Sequence, residues 1–477
     1  MCGIVGYIGI VEAQKKVWEG LKNLEYRGYD SWGIASINDK KISVVKEVGA
    51  ISDAPLSILD NPKSNIAISH TRWGTHGGVT KINAHPHFSQ NKQICIVHNG
   101  IIENYLELKK EYNISPLSET DTEIAAHLIE KFIHLGFEES FKKVFKMLKG
   151  SNALLAIKSD ENKLIAARTG SPLIVGVGKG EYFISSDVLG FLKHTKNVLY
   201  LDPNELVVIT DKPVFTNLNT NREVQKRLIT IPWDFVANEK GSYEHFMIKE
   251  IFEQKKSIRN ALNQGELLTK AIDSIRNSKD IFFTACGTAA KVCMFGEIIF
   301  SKLANKITQF SPASEFIEMY GSNLTKDSVL IVVSQSGETA DALEVIRAAK
   351  EKGVKIISIL NALGSTMERV SDFPIMINAG PEQGVASTKA TTGQLAVMSL
   401  LAYGYANKLE EGKRNLEELA GKVNDMLNPR YEERIKLLAK SLIEQTRMMI
   451  IGKGLNYPMA LEASIKLQEV GYQDAHS

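Results

Sequence analysis

The first half of the chain alternates short apolar runs, rich in β-branched residues, with turn residues. Such runs are typical of strands, and we predict strands at residues 4–8, 33–37, 66–69, 94–97, 153–157, 173–177 and 206–209. Two further stretches, 11–24 and 122–135, have the pattern of helices. Strands that follow one another, with the helices grouped apart, favour an α+β sandwich. We predict this sandwich over residues 2–211.

The pattern changes after residue 211. Residues 212–241 are polar and aperiodic, so we interpret them as a linker. Beyond the linker, helices alternate with apolar strands, which we predict at residues 281–284, 328–333, 355–359 and 373–377. This alternation predicts a parallel, doubly wound α/β sheet over residues 242–435. Sheets of this kind bind their ligands at the carboxyl ends of the strands.

A weak internal repeat follows the α/β domain. The strand and loop at residues 280–288 recur at 447–455, and a helix is predicted after them at 457–470. The second copy reaches Ser477 after one strand and one helix. We expect residues 436–477 to form a partial second α/β domain, with sheet edges and apolar faces left uncovered.

Composition narrows the class of partner. The length of 477 residues indicates two or three domains. The 57 basic and 55 acidic residues nearly cancel, which disfavours a nucleic-acid or membrane surface and favours a small-molecule substrate. The most apolar later stretch, 395–406, is too short to span a bilayer. The four cysteines have neither disulfide nor zinc spacing, so we expect a reducing, cytoplasmic setting.

Cysteine at position 2 is the first candidate catalytic residue. Initiator methionine is readily removed before a small residue, which would leave Cys2 with both a thiol and a free α-amino group. This amine titrates at about 7.7 to 8.0, so it can act as the base for its own thiol. The alternative is that Cys2 is a small buried hydrophobic residue of the first strand.

Four segments accompany Cys2, at residues 26–31, 70–77, 98–100 and 118–123. In this order and at these separations they resemble the class II glutamine amidotransferases, which have an N-terminal nucleophile fold. The resemblance implies a domain that hydrolyses L-glutamine at Cys2. It also implies glutamine-binding roles for five residues: Arg72, Trp73, Thr75, His76 and Asp121.

Two of these roles also follow from the chemistry of glutamine. The Arg72 guanidinium can hold a carboxylate through two parallel hydrogen bonds, and Asp121 can pair with the ammonium group. The alternatives are a surface ion pair for Arg72 and a helix N-cap for Asp121. Trp73 matches the family's gate on an ammonia channel, and its alternative is an aromatic core residue.

Asn99 and Gly100 are candidates for an oxyanion hole. Attack on the glutamine amide creates an oxyanion, and the Asn99 side chain and the Gly100 backbone N–H are a plausible pair of donors for it. The alternative is a hairpin turn, which is the commonest use of an Asn-Gly dipeptide. The histidines His70, His76, His85, His87 and His98 match no common metal-ligand spacing, and we predict neither a metal site nor a cofactor.

Three loops of the second half share a composition of small hydroxyl residues and glycine. They lie at residues 285–288, 334–339 and 384–389, and a helix follows each loop. Such loops bring backbone N–H groups and the positive end of a helix to an anion, for which a sugar phosphate is the natural candidate. The alternative is an ordinary turn with a serine N-cap.

The three loops resemble the SIS sugar-isomerase domain. The combination of a class II glutaminase with this domain resembles the glutamine–fructose-6-phosphate aminotransferase (isomerizing) family, and the resemblance covers residues 2–472. The resemblance implies a homodimer that aminates and isomerises fructose 6-phosphate to glucosamine 6-phosphate with ammonia from glutamine. It implies sugar-phosphate contacts at Gly287, Thr288, Ser334, Gln335, Ser336, Thr339, Val385 and Ser387.

In the same family a glutamate moves a proton between C1 and C2 of the sugar. Glu469 matches this glutamate, and Lys466 precedes it by one helical turn. The alternative is that Lys466 and Glu469 form an exposed i,i+3 ion pair. The chain departs from the family at Ala289, where serine is usual. It also reaches Ser477 before the family's ring-opening histidine and C-terminal lysine, so we assign ring opening to no residue here.

Three alternative functions remain open from the sequence. The acceptor could be another keto-sugar phosphate, which Ala289 would allow. The chain could be a sugar-phosphate-binding protein or glutaminase without full synthase activity, or a subunit completed by a partner. A purine amidophosphoribosyltransferase shares the N-terminal cysteine, but the three loops of sugar-isomerase type disfavour it.

Overall fold

The computed structural model describes residues 2–10, 12–59, 63–74, 76–231 and 240–477. Contacts between Cα atoms divide the chain into two compact units, Met1–Phe235 and Val236–Ser477, here called unit 1 and unit 2. Within the described ranges, no helix combines the length and the apolar composition that a membrane crossing requires.

Unit 1 is built from antiparallel strands with a few helices. Its helices are α1 Ala13–Asn23, α2 Tyr105–Glu111, α3 Thr122–Lys131 and α4 Phe137–Met147. Its strands are β1 Gly3–Ile8, β2 Ser31–Asn38, β3 Lys41–Val48, β4 Ile66–Arg72, β5 His87–Phe88, β6 Ile94–Gly100, β7 Asn152–Lys158, β8 Leu164–Arg168, β9 Ile174–Val177, β10 Tyr182–Ser185, β11 Asn197–Tyr200, β12 Glu205–Ile209, β13 Pro213–Asn217, β14 Arg222–Glu223 and β15 Ile229–Thr230.

The strands of unit 1 form two sheets. The first has the order β15-β11-β9-β10-β1-β4-β2-β3, and the second has the order β14-β13-β12-β8-β7-β6-β5. The inward side chains of both sheets meet in one apolar cluster, which includes Ile4 and Ile68 of the first sheet and Val97 and Leu155 of the second. Helix α1 contacts β1 and β4, whereas α3 and α4 contact strands of the second sheet. The predicted α+β sandwich is therefore confirmed.

The sequence pattern of α1 explains which face it buries. Ala13, Val17, Gly20 and Leu21 are buried along one side of the helix, at the i, i+4, i+7 and i+8 spacing of an amphipathic helix. Gly20 permits the close approach, because a Cβ there would lie 2.2 Å from the carbonyl oxygen of Gly190. Helix α1 thereby covers the outer face of the sheet that carries β1.

The predicted linker is wrong for residues 213–217, 222–223 and 229–230, which form strands. Strand β13 pairs with β12 along its whole length, β14 pairs with β13, and β15 pairs with β11. Strands β14 and β15 are edge strands, and β13 lies next to an edge. Most of their residues are exposed or half-buried, so their composition is as polar as that of a loop. Residues 232–239 lie outside the described residues.

Unit 2 is an α/β structure. Its helices are α5 Phe246–Phe252, α6 Gln254–Leu262, α7 Glu266–Arg276, α8 Gly287–Ala304, α9 Ala313–Tyr320, α10 Ala340–Glu351, α11 Thr366–Val370, α12 Lys389–Tyr405, α13 Leu409–Met426, α14 Pro429–Leu442 and α15 Asn456–Gly471. Its strands are β16 Asp280–Ala285, β17 Gln309–Pro312, β18 Ser328–Ser334, β19 Lys355–Leu360, β20 Phe373–Met376, β21 Arg447–Met449 and β22 Asp474–His476.

The main sheet of unit 2 is parallel and has the order β17-β16-β18-β19-β20. Alternate residues of its strands point to opposite sides. Ile281 and Phe283 join the core beneath α6, α7, α8, α12 and α13, whereas Phe282 joins the core beneath α9 and α10. Because both faces are buried, the strands are continuously apolar. The prediction of a doubly wound sheet is confirmed.

The strand order places a switch point between β16 and β18. The chain leaves β16 towards β17 on one side and then returns to β18 on the other. The loops after β16 and β18 therefore diverge and leave a crevice at the carboxyl ends of these strands, which is where open α/β sheets bind ligands.

The last part of unit 2 contains the second copy of the repeat. Strand β21 pairs in parallel with β22, and α15 contacts α8. Helix α14 buries none of its residues, and its apolar side chains Tyr431, Ile435 and Leu438 are exposed. The expectation of uncovered apolar faces in this region is therefore confirmed for α14.

Candidate active sites

Cys2 lies immediately before β1, next to the end of β4. Its Sγ is 3.3 Å from the backbone nitrogen of Trp73, which donates to it, and 3.6 Å from the carbonyl oxygen of Trp73. The side chain is partly exposed. Burial raises the pKa of the Cys2 thiol, although the hydrogen bond from Trp73 acts in the opposite direction. The polar contacts of the sulfur argue against the alternative of an apolar core cysteine.

The backbone of Cys2 is held by two side chains. The Arg27 Nε and the Asn99 Nδ2 both donate to the Cys2 carbonyl oxygen, at 3.3 and 3.0 Å. Arg27 also pairs with Asp187 at 3.3 Å, and the hydroxyl of Tyr26 donates to the same carboxylate at 2.9 Å. The sequence motif includes Arg27, but its contact with the Cys2 backbone was not predicted.

Asn99 and Gly100 are the last two residues of β6. They pair with Ala153 and Asn152 of β7, so the alternative of a hairpin turn at Asn99-Gly100 is wrong. Gly100 has a φ of +139°, and a Cβ there would lie 2.1 Å from the carbonyl oxygen of Ser151. Only glycine fits this position, and the amide of Asn99 is thereby brought beside Cys2.

Arg72 is the last residue of β4 and is almost fully buried. Its guanidinium donates to the carbonyl oxygens of His76, Gly77 and Gly78, at 3.1 Å for Gly77 and 3.0 Å for Gly78. Burial lowers the pKa of Arg72. The alternative of a surface ion pair is wrong, because the guanidinium holds the backbone of the loop 76–78 that follows β4.

A second set of contacts holds the same loop from its outer side. The Glu119 carboxylate accepts from the backbone nitrogen of Gly78 at 3.0 Å and from the Asn83 side chain at 2.7 Å. These two contacts lower the pKa of Glu119. The predicted motif 118–123 therefore contributes to the position of this loop through Glu119.

Asp121 immediately precedes α3 but does not cap it through its side chain. Its Oδ2 accepts from the backbone nitrogen of Ile102 at 2.6 Å. The N-cap alternative is therefore wrong. Instead, Asp121 fixes the chain just after Gly100, and the segments 98–100 and 118–123 of the sequence motif lie side by side.

Two further predicted glutamine-binding residues, Trp73 and His76, follow β4 in the chain. Trp73 is 41% exposed and meets Tyr29 edge to face at 5.3 Å, so the alternative of a core aromatic residue is wrong. The ring of His76 meets Tyr105 at 4.9 Å. Thr75 lies outside the described residues.

Four histidines form a buried cluster behind Cys2 and Asn99. The rings of His70 and His85 stack at 4.1 Å, and the rings of His85 and His87 meet at 4.7 Å. The His70 Nε2 is 3.0 Å from the carbonyl oxygen of His98, and the His98 ring lies between Thr122 and Asn152 at 2.9 Å from each. Among the described residues, no group of His, Cys, Asp or Glu has an arrangement that could hold a metal ion.

Burial keeps this histidine cluster neutral. It lowers the pKa of His70 to about 3 and places the pKa values of His85 and His87 well below the usual range. The pKa of His98 is lowered for the same reason. A neutral imidazole has one donor and one acceptor, so the cluster can link β4 to β6 without adding charge beside the nucleophile.

The second candidate site is a cavity of about 180 Å³ in unit 2. It lies at the carboxyl ends of β16 and β18, in the predicted crevice. Its lining includes six of the eight predicted sugar-phosphate residues, among them Ser387 of the third loop. The lining residues are Cys286, Thr288, Ala289, Val333, Ser334, Gln335, Ser336, Thr339, Ser387 and Gln394.

Hydrogen bonds within the loop after β18 fix its shape. The Ser334 Oγ accepts from the backbone nitrogen of Gly337 at 2.9 Å and lies 3.2 Å from the Thr339 hydroxyl. Gly337 has a φ of +64°, and a Cβ there would lie 2.2 Å from the Ser365 Oγ. Helix α10 has no side-chain cap at its start, so the alternative of a serine N-cap is wrong for this loop.

Two predicted sugar-phosphate residues do not line the cavity. Val385 is 75% exposed, and Gly287 is the first residue of α8, with a φ of +55°. In the same third loop, the Ser387 Oγ faces the cavity and donates to the Glu382 carboxylate at 2.8 Å. The structure thus brings Ser387 to the cavity and leaves Val385 outside.

Lys466 is held by Glu462 and not by Glu469. Its Nζ lies 2.5 Å from the Glu462 Oε1 and 3.1 Å from the Thr288 hydroxyl, which itself donates to Glu462 at 2.9 Å. Glu469 is exposed to solvent on α15. The alternative of a Lys466–Glu469 ion pair is therefore wrong. Glu462 was not predicted, although its i,i+4 spacing to Lys466 is a recognisable signal.

Two family models match parts of the chain. A family model described as a glutamine amidotransferase domain matches residues 77–193, and a model for the SIS domain matches residues 274–403. The fold and the sites therefore define a glutamine amidotransferase joined to an SIS domain. The SIS match decides against the alternative of a purine amidophosphoribosyltransferase.

Curated relatives narrow this class to one family. The chain is 39% identical to glutamine–fructose-6-phosphate aminotransferase (isomerizing) of Thermococcus kodakarensis, over 99% of this chain and 81% of the relative. It is 40% identical to the enzyme of the same name from Aquifex aeolicus, over 99% of this chain and 80% of the relative. The chain belongs to the glutamine–fructose-6-phosphate aminotransferase (isomerizing) family.

One solved structure has partial similarity to this chain. The C-terminal domain of glucosamine-fructose-6-phosphate aminotransferase from Francisella tularensis is 30% identical, with a TM-score of 0.44. The match covers 50% of this chain and 70% of that structure.

The neutral histidines predict an acid-sensitive unit 1. The pKa of His70 is about 3 in the folded state and about 6.5 in an unfolded chain. Between these values the unfolded chain binds a proton that the folded chain does not, so stability is complete above pH 6.5 and falls as the pH falls. For His70 alone, we expect a loss of about 2 kcal/mol between pH 6.5 and 5. Denaturant unfolding at pH 7.5 and 5.0 measures this loss.

The matched variant is His70→Asn, which removes the titrating ring but keeps a polar side chain. The free energy of unfolding of this variant should depend less steeply on pH than that of the wild type. At pH 5 the difference between the two slopes should correspond to about one proton taken up on unfolding. Equal slopes for the two proteins would show that His70 is not held neutral.

Proposed function

We propose that this chain hydrolyses L-glutamine at Cys2 and uses the ammonia to aminate fructose 6-phosphate, with isomerisation to glucosamine 6-phosphate. Membership of the family supports the overall reaction. The observation that carries the first half-reaction is the convergence of Cys2, Trp73 and Asn99 at neighbouring strand ends. The second half-reaction is supported by the hydroxyl-lined cavity in unit 2.

The nucleophile in this proposal is the mature N-terminal residue. After removal of Met1, the free α-amine of Cys2 accepts the thiol proton, and the thiolate attacks the side-chain carbonyl carbon of glutamine. Collapse of the tetrahedral intermediate breaks the C–N bond, and the proton leaves with ammonia. Water then cleaves the glutamyl thioester, which releases glutamate and restores the thiol.

The negatively charged oxygen of this intermediate is stabilised by hydrogen-bond donors that converge on it. The Asn99 amide nitrogen has two N–H groups, and one of them donates to the Cys2 carbonyl oxygen. We assign the second N–H, together with the backbone N–H of Gly100, to the oxyanion. Because the Asn99 amide is already held by Cys2, it is oriented before the substrate binds, which is the condition for electrostatic stabilisation.

We assign the recognition of the glutamine backbone groups to Arg72 and Asp121. A guanidinium has five N–H donors, of which Arg72 uses three on the loop 76–78. The other two are available for the α-carboxylate, and Asp121 supplies the charge that pairs with the α-ammonium group. Trp73 and His76 follow Arg72 on the chain after β4, and we assign them, together with Thr75, to the wall of the same site.

In the acceptor site, the loop after β18 binds the phosphate through Ser334, Gln335, Ser336 and Thr339, at the N-terminus of α10. The sugar then extends towards Thr288 and Ser387, which line the same cavity. We assign proton movement at the sugar to Lys466, because its ammonium contacts Thr288. The role of Glu469 in moving the proton between C1 and C2 stays a prediction.

We also propose a cytoplasmic homodimer. The described cysteines are all free thiols, which agrees with a reducing compartment, and the exposed apolar side chains of α14 agree with an interface. Sedimentation equilibrium of the full chain should give twice the mass of 52.8 kDa. A single-chain mass at micromolar concentration would contradict the dimer.

The test of the nucleophile is Cys2→Ala. This variant should lose glutamine hydrolysis and glutamine-dependent glucosamine 6-phosphate formation by about 10⁴-fold or more, because the covalent route is removed. With ammonium salt as the nitrogen donor, product formation should continue. The matched control is Cys95→Ala, a buried thiol of the sheet core. Glutaminase activity that survives in Cys2→Ala would contradict the proposal.

The test of the acceptor site is Lys466→Met. It should reduce glucosamine 6-phosphate formation from ammonia by about 10²-fold or more, the usual contribution of a proton-transfer group. Hydrolysis of glutamine without sugar should be unchanged. Because the single variant leaves Glu462 buried and unpaired, the double variant Lys466→Met, Glu462→Gln serves as a second test with both charges removed. Wild-type synthesis in either protein would contradict the assignment.

A further inference from the structure

One residue of the acceptor cavity differs from the others in its hydrogen bonding. Most polar side chains of the lining bond to neighbouring protein groups: Ser334 to Thr339, Thr288 to Glu462, and Ser387 to Glu382. Gln394 of α12 also lines the cavity, but its Nε2 is fully enclosed and has no hydrogen-bond partner among the described residues.

The position of Gln394 makes this unusual. The residue is 2% exposed, and α12 is otherwise largely apolar, with Val397, Met398 and Leu401 in the core. An enclosed amide without a partner destabilises a folded protein, whereas leucine or methionine would satisfy this site at no such cost. A requirement other than packing therefore favours glutamine at position 394.

The neighbouring residues of α12 indicate what that requirement is. Thr391 and Gln394 lie three residues apart on one face of α12, and Ser387 lies two residues before the first residue of this helix. The Thr391 hydroxyl donates to the Ser387 Oγ at 2.9 Å, and both Ser387 and Gln394 line the cavity. This polar face of α12 ends at Gln394, so its last polar group is the amide without a partner.

Two properties of Gln394 indicate whether it binds the phosphate or the sugar: its side chain is uncharged, and it lies on α12. The phosphate has its own donors at the loop after β18 and at the start of α10. Gln394 lies on a different helix and is uncharged, and it faces the cavity beside Ser387. A neutral amide in this place suits a sugar hydroxyl, which can both donate and accept.

We propose that Gln394 is a further substrate-binding residue of this cavity, whose amide bonds a hydroxyl of the acceptor sugar and so contributes to its selection. The inference rests on the proposed function of the cavity. A group built to bond a hydroxyl discriminates strongly against ligands that lack it, because its amide then stays unpaired. Gln394 thus recognises the sugar, whereas the loop after β18 binds the phosphate.

The test is Gln394→Leu in the full chain, a change that keeps the side-chain size and removes the amide. Without ligand, its thermal unfolding midpoint should equal or exceed that of the wild type, because an unpaired buried group is removed. By titration calorimetry, its Kd for fructose 6-phosphate should rise about tenfold, the value of one lost hydrogen bond to a buried partner. Its Kd for inorganic phosphate should not change.

The matched control is Ser399→Ala, on the same helix, where the hydroxyl bonds the Leu395 carbonyl oxygen. It should bind fructose 6-phosphate like the wild type. Unchanged affinity of Gln394→Leu for fructose 6-phosphate, or an equal loss for both ligands, would overturn the assignment to a sugar hydroxyl. A wild-type protein that binds neither ligand would instead overturn the proposed function of the cavity, so the two failures can be told apart.

Discussion

The position of Cys2, the proposed nucleophile, depends on the hydrogen bonds at its own carbonyl oxygen. A residue before the first strand would ordinarily be free to move. Here Arg27 and Asn99 both donate to this oxygen, and the backbone of Trp73 contacts the sulfur. Arg27 is in turn fixed by Asp187, and Asn99 by its place in β6. The geometry of the thiol is therefore set by groups from both sheets of the sandwich.

The need to hold Cys2 and Asn99 in place also explains why the histidine cluster near them is polar but uncharged. The histidine cluster joins β4 to β6 through hydrogen bonds and ring contacts, and burial keeps the rings neutral. A charged imidazole at this place would be costly to bury. The cluster contacts the backbone oxygen of His98 and the side chains of Thr122 and Asn152, so the strand that carries Asn99 is held without added charge near Cys2.

Unit 2 is built on a parallel sheet, which determines where its candidate site lies. Its strands are buried on both faces, so the chemistry is confined to the loops at their carboxyl ends. Gly337 lets the loop after β18 turn sharply beside Ser365, and the hydroxyls of this loop bond one another. The Lys466–Glu462 pair on α15 contacts Thr288 at the start of α8. The candidate acceptor cavity is therefore lined by hydroxyl-bearing loops and one unpartnered amide, and a charged pair contacts one of its lining residues.

The sequence by itself determined the class of each unit and the segments that carry chemistry. Runs of apolar residues, and their alternation with helices, depend on neighbours in the chain, and each predicted strand and helix overlaps one that is observed. Strands β13 to β15 lie at or next to sheet edges and were missed because their largely exposed residues have the composition of a loop.

Only the tertiary structure decided the partners of the site residues. Arg72 binds the loop 76–78, Asp121 binds Ile102, and Lys466 binds Glu462 in place of Glu469. The neutrality of the histidines and the unpaired amide of Gln394 likewise depend on what surrounds them. The physical reason is that periodicity is a property of adjacent residues, whereas burial and hydrogen-bond partners depend on strand register and on which segments meet in space.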